Sequence, residues 1–301
     1  MSSAPSLPNE NAARGYALGL LGVALFAMTL PMTRLAVGSD AAPQLPPGFV
    51  TAGRAAVAGC LSVAWLAWHR APRPSASLRR PLALSAFGTV FAFPLALALA
   101  LRRVDAMHAA VVTGLLPLAT AAVAAVALRQ RPSAAFWICA CTGCAIVVSF
   151  AAWRGGGALG WGDALLLLAV LGASVGYVGG ARVATERPAS EVICWVLVMS
   201  LPLTLPAALW SWPSAPVRWQ AWLGFAYVSL FSMWLGFFAW YRGLVLGGVV
   251  KVSQVQLLQP FLALLFAVPV LGERLDASTL LFSVAVIATV HLGRRATVRA
   301  A

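Results

Sequence analysis

Two positions in this chain set a polar side chain one helical turn before a helix breaker: Thr113 before Pro117, and Gln256 before Pro260. Proline lacks an N–H and its ring clashes with the carbonyl four residues back, so Pro117 frees the Thr113 carbonyl and Pro260 frees that of Gln256. In a lipid-embedded helix a freed carbonyl is costly unless protein, water or a solute satisfies it. Kinked helices could therefore turn amides and carbonyls toward a cavity near the midplane and bind the polar end of a small molecule. The alternative is a packing kink satisfied inside the bundle; the cavity is the preferred reading. Ser253, Gln256 and Gln259 fall within ~120° of one another around a helix, while Lys251 and Gln254 lie on the other side. Lys251 is expected to snorkel to the surface.

Other residues extend the candidate site. Pro31 interrupts the first apolar run, and its counterpart region in the sixth carries Gly172, Gly176, Gly179 and Gly180, whose default role is close helix packing. Phe26, Met28 and Tyr177 on these segments are candidate wall residues. Tyr227, Phe231, Trp234, Phe238 and Tyr241 form a stripe on one run, facing lipid, a neighbouring helix or a cavity; Trp234, mid-run, is the cavity candidate. His108 is read as a gate group or an interfacial residue, and Pro31, Pro117 and Pro260 as the kinks about which helices move. Arg54 is expected to be paired structurally, with substrate binding as the other possibility.

These residues need a membrane to sit in. The chain is 61% hydrophobic and 10% charged, with a mean hydropathy of +0.88, whereas about a quarter of the residues of soluble proteins are charged. Apolar runs cover residues 15–36, 47–68, 82–101, 106–128, 133–152, 162–182, 192–210, 221–241, 249–271 and 277–293. They have the length of membrane-spanning helices and lack the alternation of a membrane barrel. The fold class is therefore all-α integral membrane, with ten transmembrane helices and no removable signal peptide.

A net charge of +13 could suggest nucleic acid, but the basic residues are scattered through the connections. With both termini in the cytoplasm, fourteen of the 21 basic residues fall inside and six outside, Arg54 lying within a helix. No nucleic-acid partner, cofactor or metal is expected; the five cysteines fall within helices, and Cys141 and Cys144 have no histidine nearby in sequence. The eight acids fall in tails, loops or helix ends, so no mid-membrane carboxylate is available to bind an organic cation. A phosphate loop is also missing, which argues against ATP-driven pumping.

A spacing of 143 residues lays 113–131 on 256–274, aligning Pro117 with Pro260, Gln130 with Glu273 and Arg131 with Arg274. A spacing of about 147 aligns Gly15 with Gly162. The repeating unit is five helices, and five being odd, the second unit is inverted. The organisation is then a cytoplasmic tail at 1–14, a first repeat at 15–152, a second at 162–293 and a cytoplasmic tail at 294–301. Ten helices in two units, each fourth helix passing through proline to end in LRQR at 128–131 or LGER at 271–274, resemble the EamA-type branch of the drug/metabolite transporter superfamily. Arg54 fits the same pattern. Gln130 where glutamate is usual, and ALFAMTLP in place of a Trp-Gly in the first helix, are departures.

The resemblance implies a secondary transporter of the bacterial inner membrane that exports amino acids or related metabolites by alternating access. The aromatic stripe tilts the choice toward aromatic or bulky apolar amino acids, as in YddG-type exporters. A multidrug exporter of organic cations is the runner-up, and a membrane-embedded enzyme the alternative of another class; no catalytic residues are assigned. Membrane lipid and a small-molecule substrate are the partners expected, with monomer and homodimer both open.

Overall fold

The computed structural model describes residues 8–127, 133–154, 156, 159–184, 186–247 and 253–296. They are helical nearly throughout. Among the described residues, eight helices are long and apolar enough to cross a membrane: α1 (Ala13–Val37), α2 (Pro47–Trp68), α3 (Ala76–Ala100), α4 (Ala106–Ala127), α5 (Ala134–Arg154), α6 (Trp161–Ala184), α7 (Ser190–Trp210) and α8 (Trp219–Gly243). Two shorter apolar helices follow, α9 (Val255–Leu271) and α10 (Ala277–Gly293). Leucines on the outward faces of α6, α7, α9 and α10, such as Leu171, Leu203, Leu265 and Leu281, are exposed. Exposed tryptophans cluster at helix ends, with Trp68 closing α2, Trp153 near the end of α5, Trp161 opening α6, Trp210 closing α7 and Trp219 opening α8. An apolar belt rimmed by tryptophan is the surface of a multi-pass membrane protein.

The helices pack in a pattern that survives exchange of the first five with the last five. α1 packs along α8, and α6 along α3; α4 lies against α6, and α9 against α1; α5 pairs with α10, α2 with α7 and α4 with α9. The α3–α6 joint is built on glycine, since a Cβ on Gly88 would stand 2.3 Å from the Gly172 carbonyl oxygen and 2.4 Å from the Gly176 nitrogen. The α1–α8 joint repeats the device: a Cβ on Gly243 would meet the Gly19 nitrogen at 2.6 Å.

Among the described residues, five helices depart from regular α geometry. α1 breaks at Met28, α4 at Gly114–Leu115, and a 3₁₀ stretch, Ser253–Leu258, runs into the α-helical part of α9; each irregularity stands just before the proline expected to cause it, Pro31, Pro117 or Pro260. The other two carry π turns, Phe87–Ala92 in α3 and Val228–Leu235 in α8. A π turn inserts one residue into the ladder and rotates everything after it, and such insertions concentrate at functional sites.

Candidate functional site

The broken helices surround two adjoining chambers. The larger, about 120 Å³, lies between α1, α4, α6, α9 and α10 and is lined by Leu30, Thr113, Pro117, Thr120, Tyr177, Gln256, Gln259 and Pro260 among others. A smaller one, about 50 Å³, is reached past the shared residues Leu30, Thr113, Leu116, Tyr177 and Gln259. Its own walls are Phe26, Thr29, Arg54, Thr89, Phe93, Ala173, Ser232, Met233 and Phe237. Both π turns deliver a hydroxyl to this chamber, Thr89 from α3 and Ser232 from α8.

The smaller chamber is lined by both polar groups and rings. Arg54 donates from a terminal guanidinium nitrogen to Ser232 Oγ at 3.0 Å, and Ser232 Oγ lies 2.8 Å from Thr29 Oγ1. Thr89 instead donates to the carbonyl of Ser85 on its own helix, at 2.7 Å. Phe26 meets Phe237 edge to face at 5.0 Å. Arg54 is 3% exposed, and a charge at such a position costs roughly 2.5–3.5 kcal/mol or more unless it is paired or hydrated. Thr113 donates to the Ala109 carbonyl at 2.8 Å, and Thr120 to Ser174 Oγ at 3.3 Å across the α4–α6 contact.

One end of the bundle, where α1, α3, α5, α7 and α9 finish, is tied across elements. Asp40 pairs with Arg102 at 3.1 Å and Arg103 at 3.5 Å. Arg34 donates to the Leu101 carbonyl. Gln44 Oε1 accepts from the Arg218 backbone N–H at 3.0 Å. Glu273 accepts from the Ala106 and Met107 N–H groups, each at 2.8 Å, and so caps the start of α4 from the end of α9. Arg154 meets Asp276 at 3.1 Å. His108 meets Asp163 at 2.6 Å, both buried. Burial pushes the Glu273 carboxyl above its ordinary range, against the pull of its two N–H donors. Hydrogen bonds from Ser278 and Thr279, with Arg154 nearby, hold Asp276 down to about 2. At the opposite end, the ties include the i,i+4 pairs Arg182–Glu186 and Arg187–Glu191 and a bond from Arg187 to the Arg73 carbonyl.

The model of the EamA-like transporter family matches residues 13–151 and again 160–292. The chain belongs to that family. A curated relative, the "Uncharacterized transporter YdeK" of Bacillus subtilis (strain 168), is 42% identical over 285 residues, 93% of this chain and 97% of the relative. A protein crystal structure aligned over 94% of this chain and 98% of its own has a TM-score of 0.62 at 19% identity, which speaks to the fold alone. The protein is thus a multi-pass membrane transporter of the drug/metabolite superfamily with two EamA units.

Within this EamA-like transporter, Phe26, Thr113, Tyr177, Gln256 and Gln259 come together on the chamber walls, with Pro117 and Pro260 beside them. Others do not join them. Met28 sits at the α1 break, Pro31 is buried in the turn after it, and His108 is held by Asp163. Trp234 packs edge-on against Phe238 and the apolar cluster of α2 and α7 that includes Leu197. The π turn explains its placement, because the added residue rotates α8 and sends Phe237 to the chamber in place of Trp234 and Phe238. Tyr227 likewise turns its hydroxyl to the Leu25 carbonyl at 3.0 Å. The side chain of Ser253, together with Lys251, Gln130 and Arg131, lies outside the described residues.

Thr29, Thr89, Ser232 and Phe237 were not singled out by sequence. The spacing of 143 that superposes Pro117 on Pro260 also superposes Thr89 on Ser232, so a search for polar residues recurring at that interval would have found two of them.

Proposed function

We propose that this transporter is a secondary exporter of the bacterial inner membrane that carries amino acids or related small metabolites, with a tilt to aromatic and bulky apolar amino acids, by alternating access. The observation that carries the reading is the double chamber, whose walls come from both halves: Thr113 and Pro117 on α4, Gln256, Gln259 and Pro260 on α9, and Phe26, Phe93 and Phe237 as apolar faces. Amides and hydroxyls suit a polar head, and rings suit an apolar body.

In this reading all ten helices span, as two inverted five-helix repeats at 15–152 and 162–293. The packing pattern that survives exchange of the halves supports it. With both termini in the cytoplasm, the tied end faces out, and the conformation described is the one closed to the outside. Breaking the Glu273, Asp276 and Asp40 ties while helices pivot at Pro31, Pro117 and Pro260 is the motion that would open it.

Flux into proteoliposomes of labelled aromatic and aliphatic amino acids, with one quaternary amine alongside, tests the proposal. Amino-acid flux suppressed by aromatic analogues is the expected result, falling at least tenfold in Gln259→Leu protein that purifies as well as wild type. Flux of the amine alone would replace the amino-acid reading with an organic-cation exporter.

A further inference from the structure

Arg54 stands at the chamber with more hydrogen-bonding capacity than the fold uses. A guanidinium carries five N–H donors. One of its terminal nitrogens donates to Ser232 Oγ, and its buried Nε–H has no acceptor. Among the described residues no carboxylate lies within 4.0 Å of it, because the acids are engaged elsewhere: Asp163 with His108, Asp276 with Arg154, Glu273 on the start of α4, and Glu191 with Arg187. The structural counter-ion that the sequence suggested is therefore missing from the described residues. Ser232 and Thr29, joined to each other, hold the arginine at the wall, and Gln259, Thr113 and Tyr177 line the same chamber.

A buried, planar, permanently charged fork with free donors is the group best matched to a carboxylate, which it can take through two parallel hydrogen bonds. We propose that Arg54 anchors the carboxylate of the transported molecule. The substrate class is then monocarboxylic acids with an apolar or aromatic body, resting against Phe26, Phe93 and Phe237. The chamber walls offer no acid to an ammonium group, so an α-amino group is tolerated but not required. This deepens the exporter reading of the same chamber and depends on it for the direction of transport, though not for binding.

The test uses purified full-length protein in nanodiscs, with thermal unfolding followed by tryptophan fluorescence. The probes are 3-phenylpropionate, phenylalanine and phenethylamine, which share a ring and carry the carboxylate alone, both groups, and the ammonium alone. Both acids should raise the unfolding temperature and phenethylamine should not. Arg54→Lys keeps the charge but loses the fork, so the acids should bind about tenfold more weakly. Arg54→Met should abolish the acid-induced shift while leaving the unliganded protein at least as stable as wild type, since it removes a buried charge that lacks a counter-ion.

A merely structural arginine gives the opposite pattern, with Arg54→Met lowering unliganded stability and acid affinity unchanged; that result overturns the proposal. So does stabilisation of wild type by phenethylamine equal to that by the acids, or by none of the three. Acid binding that depends on Arg54 without flux in proteoliposomes supports the anchor and sinks the exporter reading, whereas acid flux untouched by Arg54→Lys sinks the anchor and keeps the exporter.

Discussion

The two halves of this transporter share a scaffold and differ in chemistry. Each puts a proline break in its fourth helix and a π turn in its third, and the π-turn hydroxyls Thr89 and Ser232 recur at the same interval as the prolines. Their bonds differ. Ser232 receives Arg54 and touches Thr29, whereas Thr89 turns back to its own helix. The cause lies on the partner helices: the α7 position matching Arg54 is Leu197 at one repeat spacing and Leu201 at the other, so Thr89 meets no guanidinium. The joints and breaks recur in both halves, and the unmatched residues on them put an arginine on the wall of the smaller chamber.

The largest effect should come from the joint itself. Gly88→Leu forces a side chain into the backbone of Gly172 and Gly176, and overpacking of this kind costs about 1–3 kcal/mol or more. The variant should lose its monodisperse peak in size-exclusion chromatography, and normal elution would mean the halves do not rest on glycine contact. Next, Ser232→Ala removes a bond to a charged group, at about 1.5–3 kcal/mol, while Thr89→Val removes a local back-bond and should cost under about 1 kcal/mol. Measured by thermal unfolding, equal losses at the two sites would erase the asymmetry between the halves.

A smaller effect is pH-dependent and belongs to the tied end. Burial raises the Glu273 carboxyl above its ordinary range while this end is closed, so proton uptake favours the closed end over an opened one in which water surrounds the group, and acidification from neutral pH steadies it. The Asp276 carboxylate, held to about 2 chiefly by its hydrogen bonds from Ser278 and Thr279 and less by Arg154, contributes stability that is fully present above the ordinary aspartate range and lost only as pH falls toward that value. Thiol labelling of Ser39→Cys protein should therefore slow between neutral and mildly acidic pH, and Glu273→Gln should flatten that profile. A profile unchanged by Glu273→Gln would remove this residue from the latch. The smallest effect is expected at Asp40→Asn, whose ion pairs with Arg102 and Arg103 are half exposed; such pairs contribute about 0–1 kcal/mol, and the labelling rate should change less than twofold.

Much of the fold was legible because lipid makes its demands in one dimension. α2 and α10 occupy the very runs the apolar pattern marked, and α4 begins where its run was expected to begin. Gln256, Gln259 and Thr113 were visible since a polar residue next to proline stands out in an apolar run. Ser232, Thr29 and Thr89 did not stand out; small hydroxyls are ordinary in membrane helices, where they can bond to their own backbone. Trp234 and Phe237 show a different limit. Counting in steps of 100° assumes an unbroken ladder, and the π turn in α8 shifts the count without a proline to announce it.

The Glu273 cap also bears on how the molecule is made. The N–H groups of Ala106 and Met107 find their acceptor 167 and 166 residues further along the chain. A ribosome that has delivered α4 to the membrane must extend the chain through five more helices before that acceptor emerges. Until then water at the membrane surface holds its place, and the first half, fully inserted, is a vestibule awaiting its keystone.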